Sequence, residues 1–304
     1  MGESRQYRLK QSEPLPEAIA RVARGRIDHA IDELRGKTDS TPVEAVHEAR
    51  KDMKKLRALL RLTRGELGGR TFGRENACFR DAARELAGAR DADVMLETLE
   101  GLTNLPAGDS SELRTRIQAH RGRNGGGRGD REAAARTAVA MLKEARGRVD
   151  DWPLERDSFG ALAKGLEKTY GRGRRDLEVA MEEPTVESLH EWRKRVKDLW
   201  YHHQLLQGAW PEVLDPLADQ AHELSDRLGD DHDLAMLAEW VEENGGAGPE
   251  FFEAVEARRS ELQAEAFALA ECVYTEKPKA FTKRMKGLWS AREAAARAGV
   301  PHTS

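Results

Sequence analysis

Residues 43–56, VEAVHEARKDMKKL, and residues 186–199, VESLHEWRKRVKDL, are two copies of one amphipathic pattern. Val, Glu, His, Glu, Arg, Lys, Lys and Leu recur at identical places, with an offset of 143 residues. Each copy contains the spacing His-x-x-Arg-Lys-x-x-Lys, which begins at His47 in the first and at His190 in the second. A match of this length indicates an internal duplication, and a duplication determines how the rest of the chain is organised.

Two shorter matches keep the same order in both halves. Upstream, Arg24-Gly-Arg26 is similar to Arg172-Gly-Arg174, and downstream, residues 86–91, LAGARD, are similar to residues 228–233, LGDDHD. Three matches in one order predict a duplicated unit of about half the chain.

The composition of the 304-residue chain favours helices. Charged residues make up 34% of it and aromatic residues only 6%, and alternating β-branched and aromatic runs are nearly absent. We therefore expect an all-α protein of two antiparallel four-helix bundles, related by a pseudo-twofold axis. The breaks in the pattern place the first bundle at residues 15–150 and the second at residues 153–295, and the glycine-dense residues 121–130 predict a mobile loop inside the first.

The first copy of the repeat has the signature of a helix start. Thr41 can cap the helix, Pro42 suits the first helical position, and Glu44 completes a capping box. At about 100° per residue, one face of this helix carries His47, Arg50, Lys51, Lys54 and Arg61, and the opposite face carries Ala49, Met53, Leu56 and Leu60. In the second copy, His190, Arg193, Lys194, Lys197 and Tyr201 lie opposite Trp192, Val196 and Leu199.

These basic faces allow two interpretations. A charged stripe on a helix is most often a solvated face, and that alternative stays open. Solvated helix faces usually carry both positive and negative side chains, however, because like charges three or four residues apart repel each other. On each of these helical faces a histidine and several cations lie one above another without an acid on the same face, and the arrangement occurs twice. This arrangement indicates an anionic ligand, and His47 and His190 are expected to donate hydrogen bonds to it. If both become charged near their reference pKa of about 6.5, lower pH should strengthen the binding.

The formal net charge of −4 means that anion binding must come from local concentration of positive charge. No apolar run approaches the roughly 20 residues needed to span a bilayer, and the N-terminus lacks the apolar region of a signal peptide. The two cysteines stand in no motif, which is typical of a reduced protein. We expect a cytoplasmic protein that does not associate with membranes.

Several classes of chemistry have no motif in the sequence. There is no Walker loop, no Gly-x-Ser-x-Gly and no dinucleotide fingerprint, so we expect no catalytic residues, no cofactor and no enzymatic activity. His202 and His203 are adjacent and point about 100° apart, which makes them a poor metal chelate, and we expect no metal site. The acids of residues 91–93 and 230–233 are interpreted as structural.

The two His-x-x-Arg-Lys-x-x-Lys copies, each followed by its Leu-Gly/Ala segment, resemble the CHAD family of α-helical domains over residues 15–290. The resemblance implies paired four-helix bundles with a basic central cleft, polyphosphate binding and, for some members, association with polyphosphate granules. It implies phosphate contacts from His47, Arg50, Lys54, Lys55 and Arg57 in the first half and from His190, Arg193 and Lys197 in the second. The basic helical faces add Lys51, Arg61, Lys194 and Tyr201 to the expected site, and the Arg-Gly-Arg matches add Arg24, Arg26, Arg172 and Arg174.

The second copy departs from the first in having Asp198 and Trp200 in place of Lys55 and Arg57, so its helix is expected to bind the anion less strongly. The alternating glutamates of a triphosphatase domain, which some relatives carry, are absent from the sequence. Nucleic-acid backbone binding is the alternative function, because charge alone does not distinguish it from polyphosphate binding. A helical scaffold for partner proteins is a third.

Overall fold

The computed structural model describes residues 6–10, 13–86, 91–102, 107–124 and 128–298. This part of the chain is all-helical, as the composition predicts, and contains no strand. Its helices are α1 (Leu15–Leu34), α2 (Pro42–Leu62), α3 (Arg64–Glu85), α4 (Asp91–Gly101), α5 (Ala107–Asn124), α6 (Arg128–Arg148), α7 (Gly160–Glu182), α8 (Val186–Leu206), α9 (Pro211–Glu243), α10 (Pro249–Val273) and α11 (Pro278–Arg297).

The two basic helices, α2 and α8, begin with the same capping device. The Thr41 side chain accepts a hydrogen bond from the backbone N–H of Glu44, and the Glu44 carboxylate accepts one from the N–H of Thr41 at 2.8 Å. Thr185 and Ser188 make the corresponding pair at the start of α8. Each pair satisfies two N–H groups that the helix leaves unbonded, which fixes where the helix begins.

The helices of the N-terminal part form a four-helix group with one displaced hairpin. Helix α1 packs against α2 and α6, and α3 packs against the same two helices. Helices α4 and α5 do not join this group. They pack against each other, and α4 also packs against α9.

The hydrophobic residues form two cores. The main core combines buried side chains of both halves, among them Met53 and Leu56 of α2 and Trp192 and Leu199 of α8, so the apolar faces predicted for the two basic helices are confirmed. The smaller core joins the α4–α5 hairpin to α9 and α10 through residues such as Leu99, Ile117 and Leu237. The internal duplication and the division at residues 150–153 stay predictions, and the shared main core places both halves in one packed unit.

Contact between the halves depends on a glycine. An added Cβ at Gly165 of α7 would lie 2.0 Å from the carbonyl oxygen of Leu62, so only glycine lets α7 approach the end of α2 this closely. Helix α2 packs against both α7 and α8. The close approach therefore holds the basic faces of α2 and α8 side by side.

Glycine and proline mark several breaks between helical segments. Gly68, with φ 69°, forms a kink inside α3, and Pro211 and Pro249 begin α9 and α10. The predicted loop over residues 121–130 is too long, because α5 continues to residue 124 and α6 begins at residue 128. Glycine near a helix end costs only about 1 kcal/mol, which neighbouring helical residues offset, and residues 125–127 lie outside the described residues.

Candidate functional site

The two basic helices meet at a cavity of about 340 Å³. Its lining residues are Lys54, Arg57 and Arg61 of α2 and His190, Arg193, Lys194, Arg195, Lys197, Asp198 and Tyr201 of α8. The structure thus brings together eight side chains that the sequence assigned to one site. Arg195 and Asp198 are lining residues that the sequence analysis did not assign to it.

Positive charge is crowded in this cavity. Seven of its ten lining side chains are lysine or arginine, and a single carboxylate, Asp198, accompanies them. Burial, then Arg193 and Lys54, lower the pKa of Lys197 to about 7. Burial, then Arg61, lower the pKa of Arg57 to about 10. The cations of the two helices therefore destabilise one another, and an anion in the cavity would relieve that repulsion.

The carboxylate of Asp198 connects the two helices. Arg61 donates a hydrogen bond to Asp198 Oδ1 at 2.9 Å, and Arg195 Nη1 lies 3.6 Å from Oδ2. Asp198 is buried, and that burial raises its pKa above the usual value. The sequence suggested that Asp198 weakens the second basic helix, but it orients a cation from the first, a role that only the contact between the halves reveals.

A second histidine, which the sequence analysis did not identify, lies against His190. The rings of His190 and His232 have centroids 4.5 Å apart. Burial, then His232, Lys194 and Arg193, lower the pKa of His190 to about 4. The condition set for a pH effect, that His190 becomes charged near pH 6.5, is therefore not met by His190 in the protein without a bound anion. The signal for His232 was its place in residues 228–233, the downstream match.

The same match supplies the surface beneath Arg193. An added Cβ at Gly229 would lie 2.8 Å from Arg193 Nη2, so the guanidinium occupies the space that a side chain would take. Within the described part of the chain, Arg193 Nε and His190 Nδ1 are buried nitrogens without a hydrogen-bond partner. Both are groups that a ligand in the cavity could satisfy.

Aromatic side chains form the base of the site. Tyr201 is only 2% exposed, stacks on Trp200 with centroids 4.7 Å apart, and meets Tyr7 edge-on. Lys55 lies over the ring of Tyr7, 5.3 Å from its centroid, and is absent from the cavity lining. These rings are packed against one another, and of the three only Tyr201 lines the cavity.

Besides Lys55, three further predicted residues of the first copy lie outside the cavity lining. Lys51 and His47 both approach Glu48, with Nζ 3.3 Å and Nε2 3.9 Å from Oε1. Arg50 is half-buried on the same helix. Their place on the basic face of α2 agrees with the sequence, and their role in binding stays a prediction.

The four arginines of the Arg-Gly-Arg matches have other surroundings. Arg24 pairs with Asp150, and the buried Arg26 pairs with Asp52 at 3.0 Å. Arg174 donates to the backbone carbonyls of Tyr274 and Glu276. Arg172 lines a separate, mixed-charge cavity that shares Arg195 with the first. Arg24, Arg26 and Arg174 thus stabilise the fold, and their assignment to the anion site stays a prediction.

The adjacent histidines His202 and His203 are buried and bond to backbone carbonyls, His202 to Ala58 at 2.9 Å and His203 to Leu217 at 3.1 Å. They point to different partners, as their adjacency predicts. Among the residues that the structure describes, no group of three His, Cys, Asp or Glu side chains could hold a metal ion. The acid Asp231, expected to be structural, is buried and bonds to Arg259 and Gln263.

Comparison with known proteins identifies a family and a similar solved structure. The family model of the CHAD domain matches residues 21–242. The crystal structure of the CHAD domain from the plant Ricinus communis is similar over 95% of this chain and 94% of that chain, with a TM-score of 0.58 and 18% sequence identity. At this identity the likeness concerns the fold. No curated protein sequence matches significantly, and none of the described helices is long and apolar enough to cross a membrane.

Proposed function

The chain belongs to the CHAD domain family, and from this premise we propose that it binds inorganic polyphosphate between α2 and α8, without catalysis. The observation that carries the proposal is the crowding of seven lysine and arginine side chains around one cavity. Such crowding is costly in the free protein, since each like charge disfavours its neighbours. A ligand with about one negative charge per phosphate offsets that cost. Charge-assisted hydrogen bonds from Arg193 and His190 to the phosphates would stabilise the complex further.

The surroundings of the cavity favour polyphosphate over nucleic acid. Proteins that bind single strands combine a basic groove with aromatic side chains on which bases stack. Here Tyr201 is almost fully buried and packs on Trp200, so no such platform faces the cavity. Polyphosphate carries no bases and requires only closely spaced cations. A protein scaffold would gain nothing from the repulsion, which makes that alternative weaker.

The proposal extends to organisation and location. The halves at residues 15–150 and 153–295 form one CHAD domain, with the first contributing α2 to the site and the second α8. We place the protein in the cytoplasm, on polyphosphate granules where these form.

A competition assay tests the proposal. Long-chain polyphosphate labelled with a fluorophore is bound to the full chain, and unlabelled polyphosphate, single-stranded RNA and pyrophosphate compete at equal phosphate concentration. We expect polyphosphate to compete most strongly and the apparent affinity to fall linearly with the logarithm of salt concentration. Stronger competition by RNA would favour nucleic-acid binding instead, and salt-independent binding would contradict the electrostatic account.

A further inference from the structure

The cavity holds three lysines in different surroundings. Lys54 and Lys194 are exposed, and Lys194 forms an ion pair with Glu191. Lys197 is half-buried, and among the residues that the structure describes no carboxylate pairs with it. Lys197 therefore differs from the other two in both solvation and charge balance.

The groups that face Lys197 come from three helices. Arg193 of α8 and Lys54 of α2 disfavour its positive charge, while Asp226 and Asp233 of α9 favour it more weakly. Burial has the largest effect, and together with the two cations it lowers the pKa of Lys197 to about 7, which leaves much of the amine neutral near pH 7. A neutral amine is a nucleophile, and a desolvated lysine beside another cation is a recurrent way to obtain one.

We propose that Lys197 is a site of non-enzymatic acylation by acyl phosphates. The arginines of the cavity would hold the phosphate of the donor, which places its acyl carbon near the amine. The neutral Nζ attacks the acyl carbon and forms a C–N bond, and the C–O bond to phosphate breaks. Inorganic phosphate leaves and the amine proton passes to water, so no oxidant or reductant is needed.

The product would change the site itself. Acylation converts the amine to a neutral amide and removes one cation from the cavity. Polyphosphate would then bind less tightly, and bound polyphosphate would in turn shield Lys197 from the donor. The inference rests on the proposed function only in that the same cations attract the phosphate group of both ligands.

The experiment uses the full chain, acetyl phosphate at pH 7.5 and mass spectrometry that resolves each lysine. The rate at Lys197 is compared with those at Lys194, which is ion-paired, and Lys279, which is exposed on α11. The neutral fraction of an amine with a pKa near 7 is several hundred times that of an ordinary lysine. Its lower basicity makes each neutral amine a weaker nucleophile, so we expect a net excess of about tenfold.

A parallel reaction with acetic anhydride, which has no phosphate, separates nucleophilicity from donor binding. The inference is supported if acetyl phosphate acetylates Lys197 faster than the two control lysines. Long polyphosphate should suppress this faster rate, and a folded Arg193→Gln variant should lower it. Equal acetylation rates at Lys197 and Lys279 with both reagents would overturn the inference. A faster rate at Lys197 with acetic anhydride but not with acetyl phosphate would overturn it too. Acylation of Lys197 in a protein that fails to bind polyphosphate would refute the proposed function and leave this inference standing.

Discussion

Polyphosphate binding should be accompanied by uptake of about one proton per protein molecule. In the free protein the pKa of Lys197 is about 7 and that of His190 about 4, both lowered by burial and by neighbouring positive charge. A bound polyanion reverses that environment and returns both pKa values at least to their ordinary range. At pH 7.5 Lys197 would go from about one quarter to full protonation, an uptake of about 0.8 proton, and His190 would add roughly 0.1.

The same linkage fixes the pH dependence of the affinity. Because the bound state holds more protons, the affinity falls as pH rises above the free-state pKa of Lys197. Between pH 7 and 9 the affinity for polyphosphate should fall about 50-fold, because over most of that range binding requires the uptake of nearly one proton from solution.

Calorimetry in two buffers of different ionisation enthalpy measures the uptake directly, because the heat then depends on the buffer. The matched control is Lys197→Arg, which stays charged and should lose most of the uptake at pH 7.5, while any titration of the ligand's own end groups remains. Equal uptake by the parent and by Lys197→Arg would refute the reasoning, as would heats that do not depend on the buffer.

Three further predictions follow from particular contacts. Lys197→Met should raise the free energy of unfolding at pH 7 by roughly 1 to 3 kcal/mol, since it removes a half-buried cation. Urea titration measures this free energy, and a lower value for the variant than for the parent would contradict the prediction. Gly229→Ala should weaken polyphosphate binding by about fivefold or more, because the new Cβ displaces the Arg193 guanidinium; an unchanged binding isotherm would show that Arg193 does not contact the ligand. Between pH 6.5 and 4 the free energy of unfolding should fall by up to about 3 kcal/mol for each of His202 and His203. Their pKa values in the folded protein are about 4, so in this range mainly the unfolded chain takes up these protons. A denaturation midpoint that does not change between these pH values would contradict the prediction for both histidines.

The helices and their buried faces could be predicted because they depend on local signals. The capping box at Thr41 and Glu44 and the apolar spacing through Met53 and Leu56 are complete within one helix, and the structure has both as expected. The packing partners of the α4–α5 hairpin could not be predicted in this way. Its apolar residues pack against α9 and α10, more than a hundred residues away, and periodicity does not reveal which partner covers an apolar face.

The site was predictable to the extent that it repeats. Lys54 and Lys197 recur at a fixed offset, and both line the cavity. The contribution of Asp198, which orients Arg61 across the two halves, was missed, because it depends on packing between helices and not on spacing within one. The lowered pKa of His190 was missed for the same reason, since it comes from burial and then from the His232 ring of α9, which lies against it.

The most direct test of the account is the affinity for long-chain polyphosphate of three single charge reversals, Lys54→Glu, Lys194→Glu and Lys279→Glu. All three lysines are exposed, so the variants should fold, and thermal melting checks that they do. Lys54 and Lys194 line the cavity from α2 and α8, and Lys279 lies on α11 outside the lining. We expect each cavity reversal to weaken binding about tenfold or more and the control to stay within about twofold, because a charge placed against the ligand costs several kcal/mol at contact and little at a distance. Equal affinities for all three folded variants and the parent would show that polyphosphate does not bind between α2 and α8.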